Sequence, residues 1–282
     1  PDELDLNDGS IAENTRFSYP LSVVPNVMPN GQGPHPETIV LLTADAFGVL
    51  PPISILEPED VMYHFVSGFT ARVAGTEVGV TEPQPTFSAC FGGPFMAHKP
   101  NVYAKLLAEK MKKHKSRCIL LNTGWSGGPY GTGKRMSLKV TRALLNAALN
   151  GELDGVATEV QPILNLKMPK SCPGVDAAIL NPRNTWPNPA DYDATATKLR
   201  DMFRKNFETK GFAAFGIEAV TRPRLEDSWV PEKTFSWEPI SRLPTHSKRR
   251  PEGTQPAMPG IMRPLITTNK IDETTKTPAV GS

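Results

Sequence analysis

Apolar residues along this chain follow two patterns. Short unbroken runs at Thr38 to Leu42 and at Cys118 to Asn122 are too short for helices and are bounded by Gly, Pro or Asn, so they predict buried strands. Elsewhere apolar positions recur at three and four, which predicts helices over residues 57–73, 99–114, 137–151 and 190–211, with Gly151 and Gly211 as C-terminal stops. Strands alternating with helices predict an α/β fold. After about Phe215 both periods vanish. The stretch from Thr221 to Pro264 is rich in Pro and charge, which predicts an extended or disordered tail. The expected division is a folded domain over residues 1–214 and an irregular tail over 215–282.

Composition narrows the partners. With 39% hydrophobic and 21% charged residues, the 282-residue chain has enough apolar material for a sizeable core. A formal charge of +2 leaves no basic footprint for nucleic acid, and no apolar run approaches the roughly 20 residues of a membrane helix. Neither nucleic acid nor a bilayer is an expected partner. Cys90, Cys118 and Cys172 show no C-x-x-C spacing, which argues against a disulfide framework or a thiolate zinc site and for a reducing compartment. The basic run Lys248 to Arg250 is read as solvated surface in the tail. The polar opening from Pro1 has no Met and no signal pattern, so the native amino terminus is expected upstream.

Several segments invite a chemical reading. Gly128 to Lys134 matches G-x-x-x-x-G-K after a predicted strand and before a predicted helix, a context in which backbone N–H groups cradle phosphate. The hydroxyl residue that should follow the Lys is replaced by Arg135, and Pro129 removes a backbone donor, so phosphoryl transfer is not assigned there. A glycine-rich turn that binds nothing is the competing reading. Cys90 lies between Phe87 and Phe91 with no His nearby and is read as core. His64 and His98 lack partner ligands at metal spacing and are read as packed or surface residues. Asp45 follows a strand and precedes a Gly turn. It suits Mg²⁺ or an Asx-type turn or helix-end cap equally, and with no partner acid it is held as structural.

Longer motifs carry a more specific signal. The runs from Ile39 to Ser54 (IVLLTADAFGVLPPIS), from Phe69 to Gly93, from Ile119 to Arg142 (ILLNTGWSGGPYGTGKRMSLKVTR) and from Pro162 to Trp186, together with Glu13 to Pro20 (ENTRFSYP), resemble the carboxy-terminal half of the ATP-dependent phosphoenolpyruvate carboxykinases. The similarity extends from about Asp5 to about Phe212. It implies a mixed-sheet nucleotide-binding domain and the reaction oxaloacetate + ATP → phosphoenolpyruvate + ADP + CO₂, a lyase step of gluconeogenesis. Implied ligands are ATP and oxaloacetate or phosphoenolpyruvate; the cytoplasm is the default location because the chain lacks a Ser-Lys-Leu ending.

Carried over by motif, Arg135, Met136 and Thr141 contact the nucleoside side of ATP, and Arg16 is the catalytic residue facing the transferred phosphate. Gly75, Thr76, Glu77, Gly79 and Thr86 belong to a lid that closes over substrates and keeps water from an enolpyruvate intermediate. An inert surface loop is the alternative for that segment. The family's P-loop, its metal ligands and its oxaloacetate-binding Arg precede the ENTR segment and are not in this sequence. Mg²⁺ and Mn²⁺ are therefore expected for the intact enzyme, with their ligands absent here. Ser126 to Tyr130 look like a short insertion of the kind eukaryotic members resemble, and the tail is unlike the usual family ending. The alternative function is a non-catalytic nucleotide- or partner-binding remnant of the family.

Overall fold

The computed structural model describes residues 18–25, 27–28, 30–73, 80–215 and 217. The tail expected from residue 215 onward falls almost wholly outside these. In chain order the elements are β1 (Thr38–Thr43), β2 (Ile53–Leu56), α1 (Pro58–Ser67), β3 (Phe69–Arg72), β4 (Gln84–Phe87), α2 (Pro100–His114), β5 (Arg117–Asn122), β6 (Trp125–Ser126), β7 (Lys134–Arg135), α3 (Leu138–Leu149), β8 (Thr158–Gln161), β9 (Leu166–Pro169), α4 (Ala177–Leu180) and α5 (Pro189–Thr209).

Five strands form the central sheet in the order β1-β5-β2-β9-β8. β1 and β5 run parallel in register from Thr38 opposite Arg117 to Thr43 opposite Asn122. β2 lies antiparallel to both β5 and β9, and β8 antiparallel to β9. The mixed α/β sheet expected from the motifs is what the chain forms.

Alternation along β5 builds a three-layer structure. Cys118 and Leu120 face a core shared with Tyr63 and Val66 of α1, Ala104 of α2, and Leu199 and Phe203 of α5. Ile119 and Leu121 face the opposite layer, against Leu144, Ala147 and Ala148 of α3 and Leu180 of α4. Both sheet faces are thus covered, which explains why β5 reads as an unbroken apolar run. His64 belongs to the first layer. Its ring meets Tyr63 at 5.4 Å and Phe203 at 5.7 Å, and burial pulls its pKa down to about 4. That is the packed histidine expected from the sequence.

Most predicted elements form within two residues of their expected ends, and the caps explain why. Ser137 accepts from the Val140 N–H at the start of α3, and Asn188 from the Ala190 N–H at the start of α5. The helix expected over 57–73 is an exception: α1 stops at Ser67. Gly68 adopts φ 53°, and a Cβ there would stand 1.7 Å from the Ser88 carbonyl oxygen. The Ser88 N–H also donates to the Gly68 oxygen at 3.0 Å. The chain then leaves the helix and pairs as β3 with β4, Phe69 opposite Phe87 and Thr70 opposite Thr86. Continued apolar spacing through Val73 mimicked a helix that a crowded glycine ends. Among the described residues no helix is long and apolar enough to cross a membrane.

Candidate functional site

The two parallel strands end side by side, and the loops that leave them interlock. Open α/β sheets place ligands at such carboxyl ends. Asn122, the last residue of β5, is fully buried. Its Oδ1 accepts from the Asp45 N–H at 3.0 Å and the Gly124 N–H at 2.9 Å, while its Nδ2 donates to the Leu50 oxygen at 3.0 Å. Asp45 is fully buried as well. Its Oδ1 accepts from Phe47 N–H at 2.8 Å, and its Oδ2 from Val49 N–H at 2.7 Å and Leu50 N–H at 2.8 Å. Burial pushes its carboxyl above the usual range, and the amides of Leu50, Phe47, Val49 and Gly48 pull the other way. Both oxygens are committed to backbone donors, so the carboxylate organises a turn and is not presented to a cation.

The following hairpin is locked onto this loop. Trp125 N–H donates to the Asp45 oxygen at 2.9 Å and Tyr130 N–H to the Ala46 oxygen at 2.9 Å. A Cβ on Gly124 would lie 2.2 Å from the Asp45 oxygen, so no other residue fits that approach. β6 and β7 pair antiparallel, Trp125 opposite Arg135 and Ser126 opposite Lys134. The segment Gly128 to Lys134 is therefore the tip and return of a β-hairpin. It does not connect a strand directly to a helix, because α3 begins only at Leu138 behind its own cap. Thr132 and Gly133 N–H both donate to the Pro129 oxygen, at 3.0 and 2.7 Å. With Tyr130 also paired, these amides do not form a phosphate cradle.

Beside the hairpin lies a cleft of about 420 Å³, lined by Ser126, Gly127 and Thr132 to Ser137, by Val140 of α3, and by Ile179 and Thr185 across the gap. Lys134 and Arg135 are its charged lining residues, both cations and both exposed. Ser126 and Thr185 hydroxyls meet at 3.1 Å and supply a polar wall. Arg135 Nε donates to the Thr123 oxygen at 3.3 Å, and its guanidinium carbon stands 5.4 Å from the centre of the Trp125 ring. Met136 is tied down by its N–H to the Gly124 oxygen at 2.8 Å. The arrangement suits an anionic ligand with an apolar portion.

Of the residues singled out in the sequence, Arg135 and Met136 meet in this cleft. Thr141 follows the lining residue Val140 on α3, where its N–H donates to the Ser137 oxygen at 3.0 Å. It is not itself in the lining. Arg16 and the lid residues Gly75, Thr76, Glu77 and Gly79 lie outside the described residues. Thr86 sits in β4, in the ladder of the segment's stem. That stem is anchored to the end of β1: Thr43 Oγ1 donates to the Phe69 oxygen at 2.7 Å and Ala44 N–H to Thr70 Oγ1 at 3.2 Å.

Cys90 is buried, and burial raises its thiol pKa to about 11, as befits a packing residue. His98 is exposed on the surface. Among the described residues no group of three or more His, Cys, Asp and Glu side chains is placed to hold a metal. With Asp45 committed to amides, the described residues do not fit the metal ions implied by the motifs. The sequence offers Lys134 only as the lysine of the phosphate-loop match and Ser126 only as part of an insertion, and it does not single out Thr185. The hairpin register that brings Lys134 opposite Ser126 is invisible when the Gly-rich run is read as a strand-to-helix turn, and Thr185 arrives from 59 positions away.

Comparison with known proteins agrees with the motifs. The phosphoenolpyruvate carboxykinase family pattern matches residues 1–178. A protein of Geotalea uraniireducens named phosphoenolpyruvate carboxykinase (ATP) is 58% identical over 205 residues, covering 73% of this chain and 39% of its own length. A namesake of Geobacter metallireducens is 55% identical over 218 residues, covering 77% of this chain and 41% of its own. One from Moorella thermoacetica is 55% identical over 204 residues, covering 72% and 39%. The chain spans about two fifths of the length of these curated relatives. The family match over more than half of the sequence, sustained at this identity, establishes that the chain belongs to the phosphoenolpyruvate carboxykinase family.

Proposed function

We propose that this chain is the nucleotide-side portion of an ATP-dependent phosphoenolpyruvate carboxykinase, acting in oxaloacetate + ATP → phosphoenolpyruvate + ADP + CO₂ in gluconeogenesis. The observation that carries this reading is the cleft at the sheet's carboxyl end, where Lys134 and Arg135 stand with Met136 and no acid in the lining. The name shared by the relatives, phosphoenolpyruvate carboxykinase (ATP), supports it.

In the reaction the bond from C3 to the departing carboxyl group of oxaloacetate breaks and CO₂ leaves. The electron pair left behind forms an enolate, whose oxygen attacks the γ-phosphorus of ATP and releases ADP. Developing charge on the transferred group calls for fixed cations. Arg135, Met136 and Thr141 hold the nucleoside end, and Arg16 faces the γ-phosphate. Residues 75–86 close over the substrates from the stem anchored on Thr43 and Ala44, excluding water that would protonate the enolate. No step is assigned to a metal ion held by the described residues. Residues 1–214 form the nucleotide-binding domain in this reading, with residues 215–282 outside it. Three free, buried cysteines suit a cytoplasmic setting.

The test is ATP binding to the 282-residue chain by calorimetric titration. Arg135→Ala should weaken binding by roughly 1–3 kcal/mol, the scale of a lost charged hydrogen bond. Unchanged affinity in a folded variant removes Arg135 from the site. The cationic cleft also accommodates a second reading, since binding there requires no turnover. It is a nucleotide- or partner-binding family member without turnover. Saturable ATP binding with no phosphoenolpyruvate formed by the native protein would select it.

A further inference from the structure

An exposed arginine ordinarily samples many rotamers, and fixing one of them costs side-chain entropy. Arg135 is exposed yet held on two sides. Its guanidinium carbon lies over Trp125, its opposite residue in the hairpin ladder, 5.4 Å from the ring centre. Its Nε donates to the Thr123 oxygen at 3.3 Å. Among the described residues the two terminal Nη nitrogens make no ion pair or hydrogen bond. What is held is the Nε and the position of the guanidinium over the ring; what is left available is the fork that grips oxygen acceptors.

The ring that does the holding is itself immobile. Trp125 is only 8% exposed. It packs on Ala46 and Ala71, and Tyr130 meets it edge-on at 5.6 Å. The Trp125 backbone N–H donates to the Asp45 carbonyl oxygen at 2.9 Å. The Asp45 turn thus holds the Trp125 main chain, while packing on Ala46, Ala71 and Tyr130 holds the indole beside the guanidinium.

We propose that Trp125 is the positioning residue of Arg135, setting the orientation of the guanidinium fork before a nucleotide arrives; this rests on the reading of the cleft as a nucleotide site. The indole does not touch the ligand. It acts by removing rotamers that point Arg135 away from the cleft, so its effect on binding passes entirely through Arg135.

The experiment compares wild type, W125F, W125L, R135A and the W125L/R135A double variant of the full chain in ATP titrations. The Arg135 Nε–Hε resonance is followed by NMR in the chains that retain Arg135, without ligand. W125L should bind ATP roughly 3- to 10-fold more weakly, W125F should stay near wild type, and W125L should add nothing once Arg135 is gone. The Hε resonance should carry an aromatic ring-current shift in wild type, smaller in W125F and absent in W125L. Losses from W125L and R135A that multiply in the double variant would overturn the proposal, as would wild-type affinity in W125L alongside weakened R135A. Should W125L not fold, an Hε resonance unmoved between wild type and W125F overturns it. If R135A binds ATP like wild type, the nucleotide reading fails instead, and the ligand-free NMR comparison still decides whether Trp125 orients Arg135.

Discussion

Asp45 offers the sharpest test of how this site is built. Its carboxylate accepts three backbone N–H groups, from Phe47, Val49 and Leu50, at 2.7–2.8 Å, and it is fully buried. In Asp45→Asn the side chain keeps its shape but retains one acceptor oxygen. The better orientation preserves the bonds from Val49 and Leu50 and turns the new NH₂ toward the Phe47 N–H, donor against donor. Losing a charge-assisted bond and leaving a buried donor bare costs about 3–5 kcal/mol, and relief of the carboxylate's desolvation offsets part of it. The net expectation is a loss of about 2–3 kcal/mol. Asp45→Ala strands all three donors and should cost about 3–6 kcal/mol, a large share of a typical 5–15 kcal/mol total. Urea denaturation followed by tryptophan fluorescence measures both, since Trp125 hangs from the Asp45 oxygen. If Asp45→Asn falls within about 0.5 kcal/mol of wild type, the carboxylate is not an amide clamp. If Mg²⁺ in addition stabilises the wild type and not this variant, the carboxylate is a cation ligand, contrary to the argument above.

Two further outcomes follow from buried geometry. His64 has its pKa lowered from 6.5 to about 4 by burial. The unfolded chain therefore takes up a proton first as pH falls, and stability present above pH 6.5 is lost progressively toward pH 4, by roughly 3 kcal/mol in all. Urea midpoints across that window should show wild type losing stability relative to His64→Phe, and parallel profiles would refute the assignment. Gly68→Ala places a Cβ against the Ser88 carbonyl in a left-handed backbone, whereas Gly211, also left-handed at φ 65°, meets nothing within 4 Å. Gly68→Ala should destabilise by at least ~3 kcal/mol and Gly211→Ala by only about 1 kcal/mol, and similar melting shifts for the two would contradict the contact.

Local signals carried much of this protein. The apolar run at β5 announced a buried inner strand because both sheet faces are covered there, whereas the similar run at β1 forms the sheet's edge strand, partly buried with Leu42 exposed. The periods of α2, α3 and α5 were legible because each helix has one face on the core, and a cap residue or a stop beside it. His64 and Cys90 were readable as packing residues from their apolar neighbours. Family membership was legible too, from motifs long enough to outweigh any single glycine pattern.

What the tertiary structure decided depends on contacts between residues far apart in sequence. Apolar spacing runs on past Ser67, and α1 ends there because Gly68 must pass against Ser88. The Gly128 to Lys134 run has the letters of a phosphate loop, and its amides turn instead to Pro129 and Ala46 because the flanking residues pair as a hairpin. Asp45 stood evenly between a cation ligand and a turn: its carboxylate takes amides of its own turn, and the long-range contact is the bond from its N–H to Asn122, 77 positions on. Trp125 gained its place beneath Arg135 from a ladder register that alternation of residue types does not encode. Short-range periodicity reports which face of an element is buried; which backbone donors remain free for a ligand is settled only when distant segments close on one another.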